Sequence, residues 1–180
     1  MFRNTSRSYG WIAIALHWLM ALAVFGMFGL GLYMVELTYY DAWYHGSLAT
    51  HKAIGILVAL AFVARLLWRV VNPRPGGLAT RALENRAAHL VHWVLYGLLA
   101  AIFVSGYLIS TADGREIEVF GLFGVPATLT GEHQEDIAGE VHEILVWVTM
   151  TLVVLHALAA LKHHFISRNS TLKRMFRPGL

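Results

Sequence analysis

Cysteine is absent from this 180-residue chain. That excludes structural disulfides, thiolate-bound metals, iron–sulfur clusters and haem attached through C-x-x-C-H, so any metal centre has to rest on histidine. Charge is scarce as well: 14% of residues are Asp, Glu, Lys or Arg, against 57% hydrophobic. Such a balance excludes an ordinary soluble domain and describes a polytopic membrane protein. There is room for four membrane helices and short connections, and none for a separate soluble domain. Internal repeats and low-complexity tracts are also missing.

The net charge of +3 does not point to nucleic acid, because of where the charges lie. Twelve of the fourteen Lys and Arg fall in the N-terminal segment, at the end of the second apolar run with its following loop, and in the C-terminal tail. Ten of the eleven Asp and Glu fall in the other two loops or at the adjoining helix edges. This is the positive-inside pattern, which predicts a multi-pass membrane protein with both termini cytoplasmic.

Four apolar runs predict helices over about residues 11–35, 51–71, 87–109 and 140–161. The expected fold is all-α, a four-helix transmembrane bundle with short loops, formed by a single domain over residues 1–180. The first run spans 25 residues, longer than the apolar part of a signal peptide and without a small-residue cleavage site, so it reads as an uncleaved helix. Residues 36–50 form an aromatic outer loop, with Tyr39, Tyr40, Trp43 and Tyr44 suited to the membrane interface. The loop of residues 72–86 is broken by Pro73 and Pro75 and carries Arg74, Arg81 and Arg86. The last loop, 110–139, holds an apolar patch, VFGLFGVPA, and an acidic run, EHQED; it predicts a short helix or cap on the outer face.

Ten histidines are many for such a chain. His142 and His156 lie inside the fourth run, fourteen residues apart. At ~100° and ~1.5 Å per residue, that spacing closes to within about 40° of whole turns and spans roughly 21 Å. Both imidazoles therefore share a face, near opposite sides of the hydrocarbon core, where ionisable groups mark function. One buried histidine can simply hydrogen-bond a neighbouring helix. Two at opposite depths suggest two stacked sites.

The fourth helix crosses from outside to inside, so His142 is outer and His156 inner. The outer mate is most simply His51, at the start of the second helix, because His45 and His133 are loop residues. For His156, the depths of His17, His89 and His92 leave three candidates. Two histidines per site, on facing helices and without carboxylate or thiolate, suit six-coordinate haem iron, and the sites are read as two non-covalent haem b groups. Zinc would want further ligands, and a proton relay would carry Asp or Glu at mid-depth. Coordination also gives each buried imidazole nitrogen a partner. Gly55, one turn past His51, is a candidate cofactor contact. So is Arg65, which either snorkels to the interface with Arg69 or pairs with a carboxylate of a bound cofactor. Gly26, Gly29 and Gly31 permit close helix approach or admit a flat group.

The segments IALHWLMAL, HKAIGILVALAFVARLLWRVVNPRP, AHLVHWVLYGLL and VHEILVWV…VLHALAALKHH…STLKRM resemble the bacterial cytochrome b561 family. This is the four-helix di-haem group that includes superoxide oxidase. The resemblance covers nearly the whole chain, least of all residues 110–138. It implies that His17 pairs with His156 on the inner haem and His51 with His142 on the outer. It also implies that His163, two turns beyond His156, lies near a quinone on the cytoplasmic side, with Lys162 and His164 at the interface. An imidazole there would donate a hydrogen bond to a quinone carbonyl and supply a proton.

Bis-histidine ligation leaves no open iron position and points to one-electron transfer. The resemblance supplies the ends, superoxide as periplasmic donor and ubiquinone as acceptor, which makes the expected activity superoxide:ubiquinone oxidoreductase. Lys52 and Arg115 are the only basic residues expected outside, and either would attract the superoxide anion; Lys52 is otherwise an ordinary interfacial lysine. A competing reading is a haem b relay subunit docked to a hydrogenase or dehydrogenase partner, although the chain has no docking extension. A non-haem transporter or assembly protein is a third, and would be colourless when purified.

Overall fold

Four long helices form where the apolar runs predict them: α1, Trp11–Val35; α2, Tyr44–Val71; α3, Ala82–Ser110; and α4, Gln134–Phe165. The computed structural model describes residues 1–79 and 81–179. Each helix is long and apolar enough to cross a membrane, and large apolar side chains such as Leu22, Leu60, Leu90 and Leu158 are exposed on them. In hydrocarbon that exposure costs nothing, while the helical backbone satisfies its own N–H and C=O groups. The all-α, four-helix membrane architecture is therefore as expected.

Three helices start earlier than the apolar pattern suggested, for local polar reasons. Helix α2 begins at Tyr44 instead of residue 51. The Thr38 hydroxyl and backbone N–H both donate to Asp41 Oδ2 at 2.7 Å, and the Tyr44 N–H donates to Asp41 O, making a turn that launches the helix. The Thr38 hydroxyl and then its backbone N–H hold the Asp41 carboxyl below its ordinary range. Helix α3 begins at Ala82 instead of residue 87. There Asn85 exchanges two hydrogen bonds with the Ala79 backbone, and Glu84 stands in the first turn. Helix α4 begins at Gln134 instead of residue 140. The acidic run thus belongs to the helix, with Glu135 and Asp136 in a first turn whose dipole favours negative charge.

The expected short outer helix or cap in residues 110–139 is instead a β-hairpin. Strands β1, Ile117–Val119, and β2, Phe123–Val125, pair antiparallel, with Val119 opposite Phe123. Alternation explains it: Ile117 and Val119 are buried and Glu118 is exposed. At the turn, Phe120 and Gly121 take positive φ of 51° and 70°, and the Leu122 N–H donates to Val119 O. Composition had flagged the apolar patch but not its period.

The chain forms two compact units, each drawing a segment from every long helix. The first comprises residues 1–21, 61–97 and 148–180, of which 80 and 180 are not described. Its helices are joined in a ring: α1 to α2 through His17 and Arg65, α2 to α3 through Arg65 and Tyr96, α3 to α4 through His92 and His156, and α4 to α1 through His156 and His17. The N-terminal segment and the tail complete this unit. Trp18 Nε1 donates to Met175 O at 2.6 Å, and Arg174 donates to the carbonyls of Gly76 and Arg7. Gly10 is required here, because a side chain would collide with the Phe2 and Arg3 carbonyls.

The second unit comprises residues 22–60 and 98–147 and includes the hairpin. Phe28 of α1 packs edge-on against Trp147 of α4 at 5.4 Å, and Met27 meets Gly55.

Candidate functional site

In the first unit three histidines converge. The His17 and His156 rings stand 6.4 Å apart, centre to centre, at 61° between planes. The His92 ring is closer to His156, at 5.1 Å, and its Nδ1 lies 2.6 Å from Ala88 O, to which it donates. His89, the remaining sequence candidate, is exposed and accepts a hydrogen bond from Trp93 Nε1 at 3.0 Å. An imidazole nitrogen binds a metal at about 2 Å, so two rings sharing one ion stand roughly 6 to 6.5 Å apart.

Arg65 does not snorkel. Its Nε donates to Tyr96 Oη at 3.0 Å, and its Nη2 lies 3.1 Å from His17 Nδ1. Tyr96 is buried, and it fixes the guanidinium beside the histidines. Sequence reasoning passed over Tyr96, whose only signal was a phenol within the apolar run of α3.

In the second unit, the His142 Nδ1 lies 3.1 Å from Ile102 O and 3.0 Å from Ser105 Oγ. Donation to that carbonyl leaves Nε2 with its lone pair, the arrangement by which second-shell groups orient a metal-binding histidine. Ser105 was also passed over, although a buried hydroxyl in a membrane helix is a recognisable signal. His51 has a buried Nδ1 without a hydrogen-bond partner. Glycines flank both rings: a methyl group at Gly31 would lie 3.6 Å from His51 Cε1, and one at Gly106 only 3.1 Å from His142 Cε1. Gly55 instead faces the Met27 methyl at 3.7 Å.

Lys52 lines a recess of about 340 Å³ with His45, Asp113, Arg115, Glu116 and Glu118. Arg115 is not a free cation, since its Nε donates to Asp113 Oδ2 at 2.7 Å. Hydrogen bonds from the Arg115 backbone and then its side chain hold the Asp113 carboxyl below its ordinary range. His163, in the last turn of α4, is half-buried and accepts from Asn169 Nδ2 at 3.3 Å. Its neighbour Lys162 is paired with Glu84 at 2.8 Å.

A profile of the family described as prokaryotic cytochrome b561 matches residues 8–178. The chain belongs to that family. Cytochrome b561 homolog 2 of Escherichia coli K12 is 54% identical over 176 residues, which is 97% of this chain and 94% of that protein. Probable superoxide oxidase CybB of Yersinia pestis is 28% identical over 171 residues, 94% of this chain and 96% of that protein. Cytochrome b561 homolog 1 of Escherichia coli K12 is 28% identical over 133 residues, covering 70% and 72%.

Membership implies haem b as cofactor, an electron-transfer role in a bacterial membrane and a quinone as the kind of redox partner. The residues of this cytochrome fit such a group. The first unit brings together histidines of three long helices, and the second holds histidines of two. The His17–His156 separation suits one iron, the His51 Nδ1 needs a partner, and small residues flank the rings of the second unit. Among the described residues, no three His, Asp or Glu side chains are grouped to hold a bare metal ion. Haem, which brings four ligands of its own, asks only two of the protein.

Proposed function

We propose that the chain works as a single di-haem domain over residues 1–180 that passes single electrons from periplasmic superoxide to ubiquinone. His17 and His156 would hold the inner haem b, and His51 and His142 the outer. The observation that carries this reading is the 6.4 Å between the His17 and His156 ring centres, a separation at which both imidazoles would reach one iron. His92, at 5.1 Å from His156, is too close for an iron between the two rings, and its Nδ1 is held by Ala88 O. When bound, the haems supply reversible one-electron storage. Arg65, anchored by Tyr96, places a cation at the inner site, where a carboxylate of the cofactor would take the guanidinium from His17 Nδ1 and let that nitrogen carry the ring proton, leaving Nε2 to bind the iron. Gly55 is kept as an outer contact because it adds no side chain one turn from His51.

The superoxide end rests on the likeness to a relative named probable superoxide oxidase and on Lys52. Among the described residues, Lys52 has no carboxylate within ion-pair distance, whereas Arg115 is bound to Asp113. Lys52 is thus the cation left to attract an anion in that recess. Two superoxide anions each give up one electron and leave as dioxygen, while one ubiquinone takes both electrons and two protons. His163 is the proposed proton donor at the quinone, and both termini are taken as cytoplasmic by the charge rule.

The test is superoxide-driven reduction of ubiquinone by the purified cytochrome alone. Ubiquinol is expected at half the molar rate of superoxide consumption, with Lys52→Gln slower at low ionic strength by a few-fold. Haems that superoxide cannot reduce would instead favour a relay subunit that takes electrons from a partner enzyme.

The outer site has a separate check. Gly106→Ala places a methyl group 3.1 Å from His142 Cε1, so that ring has to shift. Haem content is expected to fall from about two per chain toward one in this variant, since ligand orientation governs metal affinity. Gly139→Ala, where an added methyl group meets nothing within 4 Å, should keep both; a pyridine haemochrome assay compares the two.

A further inference from the structure

The first unit carries three guanidinium groups in a row without a counter-charge. Arg65 and Arg69, one turn apart on α2, both lie over the Tyr96 ring, at 5.9 and 5.2 Å. Arg69 also lies over Trp93 at 5.8 Å, and Arg74 lies over that same indole at 5.5 Å. Aromatic faces attract cations but do not neutralise them. Among the described residues, the arginine and lysine ion pairs are Arg115 with Asp113 and Lys162 with Glu84, so none of these three arginines is paired with a carboxylate. In addition, the Arg69 Nε is buried and has no hydrogen-bond partner. A buried, unmatched donor among like charges is costly, and an anion placed there removes both penalties.

The surroundings say which anion. Arg65 is held by Tyr96 and His17 and, on the proposed function, is the partner of a cofactor carboxylate, which leaves Arg69 and Arg74 on either side of Trp93 as the cations without a counter-charge. The indole N–H of Trp93 is taken by His89, holding the ring in place between the two cations. Trp93 is 39% exposed, Arg74 is exposed, and Arg74 lies just past the last residue of α2, at the end of a membrane span. Beside this polar end, Leu67, Val70 and Val71 of α2 and Leu90 and Val94 of α3 are exposed apolar side chains. A charged end at the membrane boundary with apolar flanks along the helices matches a phosphodiester with its acyl chains. Basic pockets between membrane helices bind such headgroups.

We propose that Arg69, Trp93 and Arg74 form a binding site for the phosphate of an anionic phospholipid, with its acyl chains on the exposed flanks of α2 and α3. The holoprotein, delipidated in mild detergent, is titrated with phosphatidylglycerol and separately with phosphatidylcholine, and bound lipid is counted by native mass spectrometry. Phosphatidylglycerol is expected to bind at least about tenfold more tightly, and Arg74→Gln and Arg69→Gln should each remove most of that preference. Arg177→Gln, a basic residue of the tail, should leave it intact. The visible haem spectrum shows whether each variant is folded, and Arg74→Gln, at an exposed position, keeps the test open if Arg69→Gln fails to fold.

Equal affinity for the two lipids would overturn the proposal. So would an equal loss in Arg177→Gln, which would mean diffuse attraction, or displacement of the lipid by millimolar inorganic phosphate, which would mean a free-anion site. Persistence of phosphatidylglycerol binding in Arg69→Gln, together with a changed haem spectrum, would assign Arg69 to the cofactor instead.

Discussion

Purified His156→Ala is expected to hold one haem per chain and the unmodified protein two, and His17→Ala should lose the same one. The two ring centres stand 6.4 Å apart, a spacing that suits one iron, so removing either ring would leave that iron with a single protein ligand. His51 and His142 belong to the other compact unit, where His142 is oriented by Ile102 O and Ser105 Oγ, and their haem should be retained. His92→Ala should keep both haems, because its Nδ1 is engaged with a backbone carbonyl and its ring stands too near His156. Pyridine haemochrome content gives the stoichiometry, and a redox titration shows whether the two variants lack the same component. Loss of a haem in His92→Ala with retention in His17→Ala would reverse the ligand assignment.

Reoxidation of the reduced haems by ubiquinone should slow at least about tenfold in His163→Ala, a barrier increase of about 1.4 kcal/mol or more. Reduction by superoxide should remain fast. Proton supply depends on which ring nitrogen carries the proton. Asn169 Oδ1 accepts the Thr171 N–H at 3.1 Å, which fixes the amide so that its Nδ2 donates to His163 Nδ1 at 3.3 Å. The His163 proton is then on Nε2, free to donate a hydrogen bond to a quinone carbonyl and to follow it on reduction as Nδ1 takes up a proton from the cytoplasmic water. Asn169→Ala should give a smaller slowing of the same step, by releasing the tautomer without removing the donor. Stopped-flow traces that separate haem reduction from reoxidation provide the measurement. Unchanged reoxidation in His163→Ala would place the quinone elsewhere.

Composition and hydropathy alone carried the membrane class and the four spans, because both are summed along the chain. The fourteen-residue spacing of His142 and His156 likewise needs only the pitch of one helix. Helix starts are less legible: the apolar runs begin near residues 51, 87 and 140, whereas Asp41, Asn85 and Gln134 begin the helices through polar contacts outside them. The hairpin at residues 117–125 was hidden because three-residue strands are too short for a period-two pattern to stand out from an apolar patch. Depth alone left His17, His89 and His92 equivalent. Only the packing of α1, α3 and α4 in the first unit set the two rings at 6.4 and 5.1 Å from His156 and turned His89 toward Trp93. The same holds for Arg65, whose inward hydrogen bonds to Tyr96 and His17 depend on residues 31 and 48 positions away. Which side chains lie opposite one another across a bundle depends on the rotation of each helix about its own axis, and that is settled by the packing of all neighbours together.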